Sequence, residues 1–397
     1  MSILTNIKGD KGIWGVFTML AVVSFLPMYS ASSYLVNVKH QGSTSGMLMK
    51  HAFILALGFL IVYVVHKIPY RYFSGGSVLM LPFVLLLLIY TLSTGTTIGG
   101  ATASRWIKIP IIGMTFQTSA LAGVVLMVYV ARYFSRRMDV EITFKDSFWR
   151  LWLPVGLYVL AILPANFSTA ALLFLYAVVL SILGGYKLKY ILNIIGIGLV
   201  ALVLFILVGR SFSSSLRVKT DTWKNRLINF NDADPKDTYQ VERAKIAIAT
   251  GGVFGRGAGK GRMRNFLPQA PSDFIYPIII EEYGLVGGIG ILLLYLWLLF
   301  RFYVVAKKAK TVFATLLVIG VGFPIIFQAI INMAVASNLI PVTGQTLPMM
   351  SKGGSALWMT CVAVGIVLSV SATESDIDVN EEFEEENPLD VLYEAVD

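Results

Sequence analysis

The sequence predicts an all-α polytopic membrane protein of about ten transmembrane helices, with one large extracytoplasmic loop between helices 7 and 8. Of the 397 residues, 56% are hydrophobic and 14% are charged, and the mean hydropathy is +0.73. A soluble domain carries about 25% charged residues. The charges form short patches between apolar runs, and a bilayer core of about 30 Å requires runs of about 20 residues.

The apolar runs predict ten spans. The first is expected to be retained, because no small-residue cleavage pattern accompanies a short apolar segment. The sixth is short enough to need tilt or a tight hairpin, whereas the eighth is long. The predicted spans are 13–33, 47–66, 77–92, 117–134, 148–163, 169–184, 190–209, 275–306, 312–334 and 355–371.

The distribution of Lys and Arg predicts the orientation. Cations flank "HKIPYRYF", "ARYFSRR", "GYKLKY" and "RFYVVAKKAK", which fall on one side and are cytoplasmic by the positive-inside rule. Both termini are then cytoplasmic. Residues 1–373 form the predicted membrane domain, and residues 374–397 form an acidic tail that is predicted to be disordered. The tail either recruits a partner or is simply solvated.

The predicted external loop, residues 210–274, departs from this charge pattern. It contains twelve Lys or Arg and six Asp or Glu, although long loops cross a membrane regardless of charge. Its stretch "AKIAIATGGVFGRG" predicts a re-entrant or surface-lying helix.

The stretch "GRGAGKGRMRNFLPQAPSDF" within this loop predicts an anion site. Glycine lets a backbone approach a ligand closely. Lys260 is followed by Gly261, so the stretch lacks the Lys-Ser/Thr pair of a nucleotide P-loop. The outward location excludes nucleic acid. A lipid phosphate or simple contact with anionic headgroups remains, and the cations that could bind either are Arg256, Lys260, Arg262 and Arg264.

Asp273 immediately precedes the eighth span. An acidic residue near membrane depth is costly and usually functional, although a carboxylate is also favoured at a helix N-terminus. Glu281 and Glu282 follow in an apolar setting. Cys361 is expected to be a buried, inert thiol, since no second cysteine is present to pair with it.

The motifs, taken in order, resemble the SEDS family (shape, elongation, division and sporulation) of the FtsW and RodA type. The resemblance extends from "MYSASS" to "LSVS", through "TYQVERAKIAIATGGVFGRGAGKG", "LPQAPSDFIYPIIIEEYGLVG" and "PVTGQTLPMMSKGGSALW". It implies a multi-pass protein of the bacterial cytoplasmic (inner) membrane that polymerises lipid II into peptidoglycan glycan strands on the outer face.

The resemblance also implies a site. Asp273 is its catalytic aspartate, and Arg105 matches an outer arginine of the family. Together with the loop cations, the expected substrate-binding residues are Arg105, Gln240, Arg256, Lys260, Lys352, Ser351 and Ser355. The expected structural residues around them are Glu281, Glu282, Gly257, Gly353 and Gly354.

Several positions depart from the family pattern. Ala120 and Gly123 replace an intramembrane Glu and Lys, and their joint loss avoids a stranded buried charge. Asn166 replaces an Asp, and Lys352 replaces a Tyr. Residues 271–272 are Pro-Ser in place of His-Thr.

One base can suffice for the implied reaction. A glycosidase needs two carboxylates, but a diphosphate leaving group needs charge neutralisation more than a proton. We therefore expect Asp273 to act as the base in an inverting displacement. Cations would hold the diphosphate, with or without a divalent Mg²⁺ or Mn²⁺.

Two other functions remain open at this stage. A lipid II flippase would need ionisable groups through mid-membrane to the cytoplasmic face, and a scaffold would not need Asp273. The family implies as partners a class B penicillin-binding protein transpeptidase and other divisome or elongasome membrane proteins. "LPQA" favours the cell-division type over the RodA elongation type.

Overall fold

The computed structural model describes residues 8–37, 43–94, 105–108, 115–138, 140–212, 235–267 and 270–385. The side chains of residues 31–37, 208–212, 235–238 and 375–385 are not described.

The described residues are mostly helical, and every predicted span has a helical counterpart. One short antiparallel hairpin joins the third and fourth spans, with Trp106 opposite Gln117. The elements are α1 (Lys11–Asn37), α2 (Thr44–Val65), α3 (Arg71–Thr94), β1 (Trp106–Lys108), β2 (Thr115–Gln117), α4 (Thr118–Ser135), α5 (Phe144–Ser147), α6 (Leu153–Ile162), α7 (Phe167–Leu183), α8 (Leu188–Phe212), α9 (Pro235–Gly251), α10 (Ile275–Lys308), α11 (Val312–Ala336) and α12 (Gly354–Glu385).

Eight of the described helices are long and apolar enough to cross a bilayer. The sixth predicted span corresponds to α7, which has 17 residues. The fifth is a composite, because α5 continues through a π-helical turn, Phe148–Trp152, into α6. The chain is therefore an all-α polytopic membrane protein.

Side-chain caps begin several of these helices at the residues that the sequence favours. Ser43 accepts from the Gly46 amide, Asn166 from that of Thr169 and Thr311 from that of Ala314. Such caps satisfy amides that have no partner within the helix.

Helix α11 lies at the centre of the bundle, where it packs against α4, α7, α10 and α12. Helix α12 also packs against α2 and β2, and α1 packs against α2 and α10. A space remains between α2, α4, α7, α11 and α12, and it holds the site described below.

The four cationic loops that the sequence assigns to one compartment lie at one end of the bundle. Tyr70 Oη and Thr311 Oγ1 are 3.1 Å apart, so the α2–α3 loop meets the α10–α11 loop. Ser147 Oγ lies 2.6 Å from Tyr186 Oη, which joins α5 to the α7–α8 loop. The segment with Asp273, the described part of the α3–α4 loop, the α6–α7 loop and the α11–α12 loop lie together at the opposite end, which we call the cavity end.

Two elements differ from the sequence-based expectation. Helix α10 is interrupted at Gly284, whose φ is 71° and ψ is −173°. Helix α12 continues to Glu385, beyond the predicted membrane domain of residues 1–373 and into the segment that was predicted to be disordered. A helix that has already begun in the bilayer gains one hydrogen bond for each residue added, which favours continuation. Residues 386–397 lie outside the described part.

Candidate functional site

A cavity of about 750 Å³ occupies the cavity end of the bundle. Its mouth is polar and is lined by residues from several loops. Deeper residues such as Val124, Leu173 and Ile325 are apolar. A volume of this size and a few convergent polar groups are typical of ligand sites.

Asp273 lines this cavity and is half-buried. The N-cap of α10 is Phe274, one residue later, so Asp273 is not the capping residue. Asn332 positions the aspartate backbone by donating from Nδ2 to the Asp273 carbonyl at 2.8 Å and to the Gln345 carbonyl at 2.7 Å. Asn332 is buried, so one amide ties α11 to the segment before α10 and to the α11–α12 loop (residues 337–353).

A second set of bonds joins the α11–α12 loop to the segment around Asp273. Ser351 Oγ donates to the Ser272 carbonyl at 2.6 Å and accepts from the Leu347 amide at 2.8 Å. The Lys352 amide donates to the Pro271 carbonyl at 2.7 Å. Ser351 was expected to bind substrate, but its single hydroxyl proton is used within the protein. These bonds hold the backbone of Lys352 against Pro271, which is two residues before Asp273 in the chain.

Ser355 and the two glycines before it also line the cavity. The Gln117 amide donates to Ser355 Oγ at 2.8 Å. This bond ties the β hairpin to the start of α12. Gly353 and Gly354 therefore lie where α12 meets the cavity mouth.

Three cationic side chains line the cavity, and the sequence analysis named two of them. Arg105 donates from Nε to the Ala165 carbonyl at 3.0 Å. Lys352 lies in the α11–α12 loop. The third is Lys50 on α2. A lysine inside a predicted apolar span is a signal that could have identified it.

The electrostatics of Lys352 fit an anion site. Desolvation by surrounding protein atoms and the nearby positive charge of Lys50 lower the pKa of Lys352. Two like charges at one mouth are unfavourable until an anion binds between them. The arrangement therefore favours a multiply charged anion.

The glycine-rich loop after α9 does bind anions, but these are the protein's own carboxylates. Amides of Gly259 and Gly261 donate to Glu282 at 3.0 and 3.3 Å. Amides of Arg262 and Met263 donate to Glu281 Oε1 at 2.7 and 3.2 Å. Both carboxylates are at most 1% exposed, so this loop closes over the interrupted part of α10.

The cations and hydroxyls near this closure act on the same carboxylates. Arg264 Nη1 lies 3.6 Å from Glu282 Oε1 and donates to Ser30 Oγ at 3.0 Å. Ser30 in turn donates to Glu282. Burial of a carboxylate is tolerated when several donors surround it.

The glycines of this loop are required by close backbone approach. A Cβ at Gly255 would lie 2.3 Å from the Glu282 carbonyl oxygen, and one at Gly251 would lie 2.1 Å from that of Ile280. The Gly257 amide donates to the Glu282 carbonyl at 2.9 Å. The glycine pattern predicts close approach to a ligand, whereas the structure shows close approach to the backbone of α10.

The structure thus separates the predicted site residues into two groups. Arg256 and Lys260 are exposed on the glycine-rich loop, and Gln240 lies on α9. None of these three is among the described residues that line the cavity. The group at the cavity is Asp273, Arg105, Lys352, Ser351, Ser355, Gly353 and Gly354. The group outside it is Gln240, Arg256, Lys260, Gly257, Glu281 and Glu282.

Positions that depart from the family pattern line the same cavity. Ala120 and Gly123 form part of the α4 wall, and Asn166 lies at the mouth. Small residues on α4 leave volume where a Glu and a Lys would otherwise project. In this chain the lysines of the cavity instead come from α2 (Lys50) and from the α11–α12 loop (Lys352).

The described residues do not form a metal site by themselves. No group of three or more His, Cys, Asp or Glu side chains lies together among them, and Asp273 is the carboxylate in the described cavity lining.

The fold and the cavity define a class: a multi-pass membrane protein with one acid and several cations above an apolar chamber. The family model for the cell cycle proteins FtsW, RodA and SpoVE matches residues 10–376. The chain belongs to this family.

Similar proteins cover nearly the whole chain. A relative from Geobacter sp. (strain M18), named probable peptidoglycan glycosyltransferase FtsW, is 34% identical over 90% of this chain and 96% of its own length. A relative of the same name from Thioalkalivibrio sulfidiphilus is 31% identical over 91% of this chain and 89% of its own length.

Solved structures share the fold. A chain from a peptidoglycan synthase complex that coordinates polymerization and crosslinking has a TM-score of 0.71 at 23% identity, covering 92% of this chain and 98% of that one. The rod shape determining protein RodA of Thermus thermophilus has a TM-score of 0.64 at 24% identity, covering 91% and 96%.

Proposed function

We propose that this chain is a peptidoglycan glycosyltransferase of the FtsW type, which polymerises lipid II into glycan strands. The observation that carries the proposal is the placement of Asp273 with Arg105, Lys50 and Lys352 at the mouth of one cavity. Family membership and the names of the relatives support the same reaction.

The cavity matches the two halves of a lipid-linked sugar. The cations at the mouth suit a diphosphate, because charge-assisted bonds to phosphate oxygens are strong. The apolar walls deeper in the bundle suit the start of a polyprenyl chain, which loses no hydrogen bonds on leaving lipid. The sugar then lies beside Asp273.

The reaction is a single displacement at the anomeric carbon. The hydroxyl oxygen of the acceptor sugar forms the new bond as the carbon–oxygen bond to the diphosphate breaks. The lipid diphosphate leaves with the bonding electrons, and Asp273 takes the hydroxyl proton. Attack opposite the leaving group inverts the configuration.

The cations stabilise the negative charge that develops on the leaving diphosphate. Arg105 is oriented by its bond to Ala165, and Lys352 by the backbone bond to Pro271. A divalent Mg²⁺ or Mn²⁺ would take most of its ligands from the diphosphate, since few carboxylates are available from the described residues.

The proposed orientation places the cavity end outside the cytoplasmic membrane and both termini inside. The cationic loops at the other end support this orientation through the positive-inside rule. The partner is a class B penicillin-binding protein, which crosslinks the glycan product, and lipid II is the substrate. The names of the relatives and "LPQA" favour a role in cell division.

A flippase is the alternative that the same fold leaves open. The acidic and basic residues of the described cavity lining are Lys50, His51, Arg105, Asp273 and Lys352. All of these belong to the loops or first helical turns of the cavity end. A transporter would need such groups along the whole path, so their distribution favours the glycosyltransferase.

The test removes the base without changing its shape. Purified protein with Asp273→Asn, reconstituted with its transpeptidase, should polymerise fluorescent lipid II at least about 100-fold more slowly. Polymer is measured by gel electrophoresis. Asp146→Asn, which removes a carboxylate at the opposite end, is the control and should retain activity.

Two results would count against the proposal. Polymerisation by the Asp273→Asn protein at the normal rate would exclude the aspartate as base. Translocation of lipid II in proteoliposomes without polymer formation would favour the flippase.

Arg256→Gln should change the rate of lipid II polymerisation by less than about twofold, because Arg256 is exposed and outside the described cavity lining.

A further inference from the structure

A second, smaller cavity lies at the end of the bundle opposite the proposed active site. Its volume is about 190 Å³, and it lies between the start of α1, the end of α10 and the middle of α12. Val304 and Val305 supply an apolar wall, while Asp10 and Glu374 supply carboxylates. No role assigned above uses this cavity.

Glu374 is the unusual residue there. It is only 5% exposed, and neither carboxylate oxygen has a hydrogen-bond partner among the described residues. A buried carboxylate is costly unless a cation or several donors compensate it. The observation therefore points to a cation that binds from elsewhere.

Asp10, on the same cavity wall, shows how such a carboxylate is satisfied. Arg301 donates from Nε to Asp10 Oδ1 at 2.9 Å and from Nη2 to Oδ2. Arg301 is thereby used. Lys308 also lines the cavity, but it is exposed and forms no described ion pair with Glu374.

The sequence segments on either side of the described cavity residues contain no basic side chain that could pair with Glu374. Residues 1–7 and 375–397 contain no Lys or Arg. Residues 374–397 instead contain 11 of the 23 acidic residues of the chain. A basic segment of another molecule would be attracted by this tail, whereas an anionic lipid headgroup would be repelled.

We propose that Glu374 anchors an arginine from a basic cytoplasmic segment of the partner transpeptidase. A guanidinium can bond both free carboxylate oxygens, and its methylene stem would pack on Val304 and Val305. The volume equals roughly six waters at about 30 Å³ each, which is ample for such a group. The cytoplasmic assignment rests on the orientation given under the proposed function.

The test measures binding, so it can be read whether or not the proposed reaction is correct. The full chain in nanodiscs of zwitterionic lipid is titrated with full-length transpeptidase. A second titration uses a transpeptidase whose cytoplasmic Lys and Arg are replaced by Gln. Glu374→Gln should weaken binding of the unmodified transpeptidase about tenfold and leave binding of the charge-depleted form unchanged.

Glu141→Gln is the matched control, since it removes the same charge from an exposed pair with Lys187 at the same end. It should not alter binding. The melting temperature of the free Glu374→Gln chain should not fall, because an uncompensated buried charge has been removed.

Three outcomes would overturn the inference: unchanged binding of the unmodified transpeptidase to the Glu374→Gln chain, equal weakening of both transpeptidase forms, or a clear drop in the melting temperature. The last would show that Glu374 has a partner within this chain.

Discussion

At the residue scale, Lys352 and Lys50 place two positive charges at the cavity mouth. Both line the cavity; Lys352 lies in the α11–α12 loop and Lys50 lies on α2. Each ammonium disfavours the other until an anion shields them. A diphosphate carries enough charge to be held by both, so we expect these lysines to affect substrate affinity more than the chemical step.

A pH profile can separate the contribution of Lys352. Its pKa is lowered by desolvation and by Lys50, so its ammonium is lost at a lower pH than that of an ordinary lysine. The kcat/KM for lipid II, which reports on the free enzyme, should therefore fall on the alkaline side. Lys352→Arg keeps the charge at all accessible pH values and should move this fall to higher pH.

Lys50→Gln is the companion variant in that experiment. It removes one of the two causes of the lowered pKa and should move the fall part of the way upward, with a higher KM. An alkaline limb that is identical in all three proteins would show that Lys352 does not govern it.

At the element scale, helix α10 and the glycine-rich loop are joined by backbone hydrogen bonds into one structural unit. The break at Gly284 frees backbone groups that a continuous helix would pair. The loop supplies the replacements: Gly252 and Val253 carbonyls accept from the amides of Leu285 and Val286 at 2.9 and 3.2 Å. Because this unit includes the start of α10, it determines where the segment preceding α10 places Asp273.

A glycine pair on α10 tests this dependence. Gly284→Ala should destabilise the protein by at least about 3 kcal/mol, because alanine disfavours this backbone conformation. Its Cβ would also lie 2.1 Å from the Val253 carbonyl oxygen. Gly290→Ala, on the same helix with open space around it, should be neutral or stabilising by up to about 1 kcal/mol.

The readout is the midpoint of thermal unfolding in detergent, followed by the polymerisation rate. Equal melting temperatures for the two alanine variants would mean that the break at Gly284 is not needed for the fold.

The whole molecule has two functional ends that differ in charge and in contacts. The cavity end carries the acid and the cations of the proposed active site. The opposite end carries the cationic loops, the start of α1 and the Glu374 cavity. Under the two proposals above, lipid-linked sugars would contact the cavity end and a cytoplasmic segment of a partner would contact the other end.

The native cysteine makes the orientation straightforward to measure. Cys361 is fully buried, so the unmodified chain should not react with a thiol-labelling reagent. Phe254→Cys, at a site 84% exposed on the glycine-rich loop, should react with a membrane-impermeant maleimide in intact spheroplasts. Lys307→Cys, exposed near the other end, should react only after permeabilisation. The reverse pattern would invert the proposed topology.

The spans could be predicted from the sequence because they depend on local properties. The length of an apolar run determines whether it crosses a bilayer, and the resemblance identified Asp273 before any contact was known. Arg105 was named as a match to the family, and Lys352 as a departure from its pattern. The helix in "AKIAIATGGVFGRG" was also predicted, and it corresponds to α9.

Only the tertiary structure determined which residues meet. The amides of the glycine-rich loop could have served any anion, and long-range packing made Glu281 and Glu282 their partners. Lys50, Asn332 and Glu374 lie outside the motifs that carry the resemblance, and their neighbours come from segments distant in the chain. A sequence pattern specifies the chemistry that a segment offers, whereas the choice of partner depends on how the helices pack.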